Sequence, residues 1–301
     1  MKLVYSPKYE VDIGSHVFPT DKYRLVYERL IEEGAFGKDD FLLPVPADDE
    51  DVLLVHNITY VDKLKKGTLS LPEIMQLELP YSPELVEVAW LWVGGTVMAA
   101  RQALEDGICV HLGGGWHHAF PDHGEGFCAL NDHAIAVRRL LKDKAVKKAA
   151  IVDCDVHQGN GTAAIFAGDS DVFTFSIHQE NNYPMIKPPS DIDVGLEDGA
   201  TDSEYLTKVH EHLPRILKDF KPGLVVYVAG ADTYVNDQLG GLSLTVVGHK
   251  ERDRLVIGEA RRAGIPVVIV LAGGYAVRVE DTVTIHANTA KIAKELTVNR
   301  E

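Results

Sequence analysis

The stretch Ala149-Ala150-Ile151-Val152-Asp153-Cys154-Asp155-Val156-His157 runs from continuous apolar residues straight into evenly spaced polar ones. A strand with one wet face would alternate. This one is apolar on both faces, as a buried parallel strand is. Leu3-Val4-Tyr5, Val52–Val55, Ile108–Leu112, Val172–Ile177, Leu224–Ala229 and Val267–Leu271 read the same way. Between them lie helix-like segments: Asp21–Glu33, Pro83–Glu105, Asn131–Lys142, Ser203–Phe220, Thr245–Ala263 and Asp281–Glu295. Ser82-Pro83 gives one of these a start signal, and Gly107 gives it a stop. The alternation predicts βαβ units and an α/β fold of three layers, a mainly parallel β-sheet flanked by helices. The polar, proline-bearing Glu180–Asp193 is too short to separate domains and is expected to be a long loop over one face. Residues 1–301 are therefore expected to form a single domain.

A chain of 301 residues buries roughly 75% of its extended-chain surface, so it needs no disulfide or metal merely to fold. Lys+Arg 30 against Asp+Glu 45 gives a formal charge of -15, which repels phosphate and argues against a nucleic-acid partner. Lys142, Lys144, Lys147 and Lys148 read as the solvated end of a helix and its turn. Cys109, Cys128 and Cys154 are odd in number and lie in apolar or glycine-rich surroundings, as reduced, buried thiols would. The first residues hold no apolar run of signal-peptide length, and the longest uncharged stretches, Val88–Ala100 and Ile265–Val277, are 13 residues each. A membrane span needs about 20. A cytoplasmic protein with no membrane partner is expected.

Extended geometry projects Asp153, Asp155 and His157 to one face and Cys154 and Val156 to the other. Two carboxylates and an imidazole at the end of a buried strand need compensation, which a divalent cation supplies. The alternative is an Asp–His hydrogen bond with the other aspartate capping the next helix. In Gly113-Gly114-Gly115-Trp116-His117-His118-Ala119, an irregular turn can aim both histidines into one cavity or leave them in solvent. Asp232, after Leu224–Ala229 and Gly230, reads as a third ligand or as a helix N-cap. Tyr275, presented by Gly273 and Gly274, reads as an oxyanion donor or as a packed aromatic. All four segments follow strands, and open α/β sheets place their sites outside the carboxyl ends of their strands. Together they suggest a mononuclear metal hydrolase.

Gly-Gly-Trp-His-His-Ala at 114–119, Gly-Phe-Cys-Ala-Leu-Asn-Asp at 126–132, Asp-x-Asp-x-His-x-Gly-x-Gly at 153–161, Gly-Ala-Asp-Thr at 230–233 and Gly-Gly-Tyr at 273–275 resemble, in order and spacing, the zinc-dependent histone deacetylase family. The resemblance covers roughly residues 1 to 290. His157-Gln158-Gly159-Asn160-Gly161 and the short chain resemble its class IV branch and bacterial relatives.

The resemblance implies that Asp155, His157 and Asp232 ligate Zn²⁺, or Fe²⁺, which such a donor set also suits. It implies that His118 is the main general base and acid, that His117 is its electrostatic partner oriented by Asp153, and that Tyr275 polarises the acyl carbonyl. Gly126 and Phe127, with Tyr183, would wall a narrow substrate channel. Asp153, Asp155, His157, Ser176 and Ile177 would hold a structural potassium ion. The implied substrate is an acylated lysine in a protein or peptide, acetyl first; long-chain acyl-lysine and acylated polyamines are alternatives. Asn160 stands where class I members carry an aspartate, and leaves the pKa of His118 open. Leu79-Pro80-Tyr81-Ser82-Pro83 lacks the rim aspartate with which class I members grip the substrate backbone. Two rival readings are a binuclear manganese ureohydrolase, for which Thr233-Tyr234-Val235-Asn236-Asp237 lacks the needed aspartate pair, and a non-catalytic acyl-lysine binder.

Overall fold

Four apolar runs become strands buried at every residue: β3 (Ile108–His111), β4 (Ala149–Asp153), β7 (Leu224–Val228) and β8 (Val267–Val270). The computed structural model describes residues 1–298. Outside these central strands lie β1 (Lys2–Val4), β2 (Phe41–Leu42), β5 (Val172–Gln179) and β6 (Ile192–Leu196). All join one sheet in the order β2-β1-β3-β8-β7-β4-β5-β6. Every pairing is parallel.

Parallel neighbours need crossovers, and helices supply most of them. The helices are α1 (Lys22–Glu32), α2 (Asp49–Val52), α3 (Ile58–Lys66), α4 (Leu71–Leu77), α5 (Pro83–Asp106), α6 (Asp132–Lys142), α7 (Asn160–Phe166), α8 (Asp202–Phe220), α9 (Val246–Arg262) and α10 (Val279–Val298). Helices α1, α10, α9 and α8 pack side by side in one row, while α5 packs on α6 in another. Helix α5 buries both Trp90 and Trp92. Ser82 caps its start by accepting from the Leu85 N–H, and Gly107 ends it at φ 85°. That left-handed conformation costs glycine nothing sterically.

The six expected helices form within two residues of their expected starts. Val52–Val55 does not form a strand. Asp49–Val52 is a helical turn whose first residues are all acidic, where the helix dipole favours them, and only Val52 turns inward. The strand position beside β1 goes to Phe41–Leu42 instead. Of Glu180–Asp193, the last two residues pair as the start of β6, and the rest joins β5 to β6 without a helix. Cys109, Cys128 and Cys154 are buried and free. No helix among the described residues is long and apolar enough to cross a membrane.

Candidate active site

The connection leaving β4 runs toward β5, and the one leaving β7 runs toward β8 on the other side. Adjacent strands whose outgoing connections diverge open a crevice at their carboxyl ends. Asp153 ends β4 at this crevice, Asp155 and His157 follow it, and Asp232 follows β7. The turns after β3 and β8 flank it with His117, His118 and Tyr275.

Asp155, His157 and Asp232 offer one ligand atom each within 4.8 Å of one another. All three are buried. The backbone satisfies the oxygens on the far side: Gly273 N–H donates to Asp155 Oδ2 at 3.0 Å, and Val156 N–H donates to Asp232 Oδ1 at 2.9 Å. Asp232 Oδ2 is left buried with no hydrogen-bond partner. Burial and the neighbouring Asp155 carboxylate push Asp232 up to about 7. An orphaned carboxylate oxygen beside a second carboxylate and an imidazole is the donor set a divalent cation satisfies. Glycine is required to build it. A Cβ on Gly273 would lie 2.0 Å from Asp232 Oδ2, and one on Gly230 would lie 2.6 Å from Asp155 Oδ2.

His117 and His118 turn toward each other, Nε2 to Nε2 at 3.1 Å. His117 Nδ1 lies 2.7 Å from Asp153 Oδ2, and His118 Nδ1 lies 2.7 Å from Asn160 Oδ1. Burial alone would lower His117, but the Asp153 and Asp155 carboxylates raise it to about 9. Burial, then the neighbouring His117 and His157, push His118 well below the usual histidine range. Two adjacent imidazoles are thus driven apart, one toward the charged form and one toward the neutral form, as an acid/base pair requires. The turn bearing them hangs on Asp132, which accepts N–H bonds from Gly115 at 3.1 Å and Trp116 at 2.8 Å.

The expected channel residues meet at the mouth. An outer cavity of about 170 Å³ is lined by Gly126, Phe127, Tyr183, Tyr275, His118, His157 and Glu78. Tyr183 stands edge-on to His118 with ring centres 5.0 Å apart, and Phe127 faces Tyr275 at 5.9 Å. Behind it, among Phe18, Tyr23, Trp116 and Gly273, an inner space of about 20 Å³ remains, room for about one water-sized group. Ser176 pairs in register with Asp153 on the adjacent strand, and its hydroxyl bonds His178 Nδ1 at 2.9 Å; Ile177 follows it, fully buried.

Three residues here carry no motif signal. Lys22, at the start of α1, is fully buried and donates to the Ala272 carbonyl at 2.8 Å. It lies 5.5 Å from the Tyr275 ring centre, and burial lowers its ammonium to about 8. Glu78, one residue before the Leu79–Pro83 stretch that lacks a rim carboxylate, supplies a carboxylate at the mouth after all. Glu125 lies behind Asn160 and Tyr183. The glycines on either side of it were the available hint, since a charge between two glycines marks backbone that comes close to something.

Known proteins resemble this chain along nearly its whole length. A family model described as histone deacetylase domain matches residues 16–290. An uncharacterized protein of Picosynechococcus sp. is 42% identical over 98% of this chain and 98% of its own. Histone deacetylase 2 of Arabidopsis thaliana is 31% identical over 91% of this chain and 74% of its own. A "Probable deacetylase" of Archaeoglobus fulgidus is 33% identical over 91% and 81%. The solved HDA15 HD domain superposes with a TM-score of 0.80 at 22% identity, covering 99% of this chain and 91% of that one. With the paired histidines and the buried Asp/His/Asp cluster at the ends of its parallel strands, the chain belongs to the histone deacetylase family of hydrolases.

Proposed function

We propose that this chain is a metal-dependent amidohydrolase that removes an acyl group, acetyl first, from a lysine side chain or a related amine. The observation that carries this is the buried Asp155–His157–Asp232 cluster with its partnerless Asp232 oxygen, lined up beside the His117–His118 pair. These three side chains would hold Zn²⁺, with Fe²⁺ as the alternative. When bound, the ion supplies a Lewis acid for the acyl carbonyl and a water of lowered pKa.

The chain's own groups do the rest. Asn160 Oδ1 also accepts the Gly161 N–H at 3.0 Å, so it faces His118 as an acceptor and places that ring's proton on Nδ1. Nε2 of His118 is then the unprotonated nitrogen; it faces His117 Nε2 at 3.1 Å here, and it would take the proton of the attacking water and pass it to the departing amine. His117, held charged against Asp153, stabilises negative charge beside it. Tyr275 donates a hydrogen bond to the oxyanion that develops. The outer cavity between Phe127 and Tyr183 suits an alkyl amine stem. The inner space of about 20 Å³ favours acetyl over a long acyl chain. Glu78 at the mouth suits a cationic substrate, a lysine peptide or a polyamine.

We further assign a structural potassium ion to Asp153, Asp155, His157, Ser176 and Ile177, on the strength of the β4–β5 register. The sequence from 157 to 161 supports a class IV-like member, and three buried, unpaired thiols support a reducing cytoplasm. One catalytic domain accounts for residues 1–298; residues 299–301 lie outside the described residues. The test is acetate release from an acetyl-lysine peptide, with acetylspermidine in parallel, by chelator-stripped protein given one equivalent of Zn²⁺. Turnover that returns with zinc and is absent in His118→Ala supports the reading. No hydrolysis of any acyl amide by the reconstituted protein sinks it.

A further inference from the structure

Asn160, which faces His118 Nδ1 at 2.7 Å, is a neutral dipole. It can hold the His118 ring in one tautomer, but an amide by itself offers no net charge to an imidazolium. Its orientation is settled by two groups on one oxygen, Gly161 N–H at 3.0 Å and His118 Nδ1 at 2.7 Å. The amide nitrogen must then point away, and it donates to Glu125 Oε1 at 2.6 Å. The same Glu125 oxygen accepts the Tyr183 hydroxyl at 2.8 Å. Its other oxygen accepts from Gln76 Nε2 at 3.0 Å and lies 3.4 Å from His123 Nε2.

The backbone fixes this carboxylate in place. Glu125 exchanges both of its main-chain hydrogen bonds with Cys128, at 3.1 and 2.9 Å. Its neighbours leave no slack, because a Cβ on Gly124 would lie 2.6 Å from the Tyr60 hydroxyl and one on Gly126 would lie 2.8 Å from His118 Cδ2. Partial burial would raise the Glu125 carboxyl, but bonds from His123, Tyr183, Gln76 and Asn160 hold it down to about 2. It therefore stays charged across the working range.

We propose that Glu125 is a positioning residue for the hydrolysis, fixing and polarising the Asn160 amide so that His118–Asn160–Glu125 acts as a histidine–carboxylate pair with an amide between. This rests on His118 being the proton carrier. As His118 gains a proton, the hydrogen-bonded chain polarises along its length and brings the Glu125 charge to bear one bond further out. The second bond, to Tyr183, anchors the channel wall to the same carboxylate.

The experiment is steady-state kinetics of zinc-loaded enzyme on an acetylated amine, for wild type, E125Q, N160D, E125Q/N160D and Y183F. Turnover by wild type and its absence in His118→Ala establish the underlying reading first, so a failure there is separate from a failure here. E125Q keeps the shape and removes the charge, and is expected to lower kcat roughly tenfold with KM within twofold. N160D sets a carboxylate directly on His118, which makes Glu125 redundant and repulsive. In that background E125Q should leave kcat unchanged or raise it. Y183F should move KM more than kcat. An equal loss from E125Q in both backgrounds, a loss confined to KM, or wild-type kcat in E125Q would each overturn the proposal. If E125Q folds poorly by thermal melt, Glu125→Ala with added formate gives the same reading. Restored kcat supports the proposal, and no restoration overturns it.

Discussion

Replacing Gly273 by alanine should cripple metal binding while the fold survives. The new Cβ would lie 2.0 Å from Asp232 Oδ2 and 2.6 Å from Asp155 Oδ2, while real Cβ contacts stay beyond 3.0 Å. The Asp232 oxygen must therefore retreat by at least 3.0 − 2.0 = 1.0 Å, about five times the ~0.2 Å tolerance of a metal–ligand distance. The backbone cannot yield in its place. Gly273 N–H is bonded to Asp155 Oδ2 at 3.0 Å and its carbonyl accepts the Ala231 N–H at 2.8 Å, so moving it displaces another ligand. Changes one layer further out already cost 10–100-fold in metal affinity. The direct displacement should cost at least about 100-fold, about 2.7 kcal/mol. The assay is Zn²⁺ competition against a chromophoric chelator, with circular dichroism of the metal-free protein as the fold check. Gly258→Ala is the control, since its Cβ would meet only Arg262 Nη2, at 3.7 Å. It should bind metal normally and gain about 0.5–1 kcal/mol of stability. A folded Gly273→Ala protein within threefold of wild-type affinity would refute the reasoning.

Tyr275→Phe should lower kcat by roughly 100- to 1,000-fold, the usual cost of one oxyanion donor, and leave zinc affinity within threefold; more than a tenth of wild-type turnover would contradict that role. Burial lowers the His56 and His111 imidazoles to about 4. Because the unfolded chain takes up protons first, their stabilising contribution is present above pH ~6.5 and is lost as pH falls toward 4, about 2 kcal/mol each by pH 5. Urea midpoints at pH 7 and pH 5 check this, and His111→Gln should flatten the difference; an unchanged midpoint in wild type would count against it. Glu78→Gln should raise KM for acetylspermidine about three- to fivefold at low salt, fading near 0.5 M salt, with kcat unaltered. A salt-independent effect, or none, would remove Glu78 from substrate binding.

Much of the site was legible because a strand repeats every two residues. Asp153, Asp155 and His157 share a face by that rule alone, and a parallel strand buried on both sides leaves polar groups only at its end. Glycines beside His117, Asp232 and Tyr275 marked backbone that had to turn or approach closely. The same local reasoning failed at Val52–Val55. A four-residue apolar run does not specify its partner, and the acidic residues before it made a helical turn while Phe41–Leu42 paired with β1.

What the linear chain determined was the kind of sheet, its direction and the chemistry at its strand ends, because these follow from side-chain periodicity and residue type. What only the tertiary structure decided were the meetings of distant segments. Lys22 reaches a carbonyl 250 positions away, Glu125 reaches Asn160 across 35, and Gly273 must be glycine because of Asp232. Each of these is set by how the crossovers stack four strand ends side by side. No local pattern encodes that distance, so Lys22 and Glu125 are placed by the fold and not by any motif.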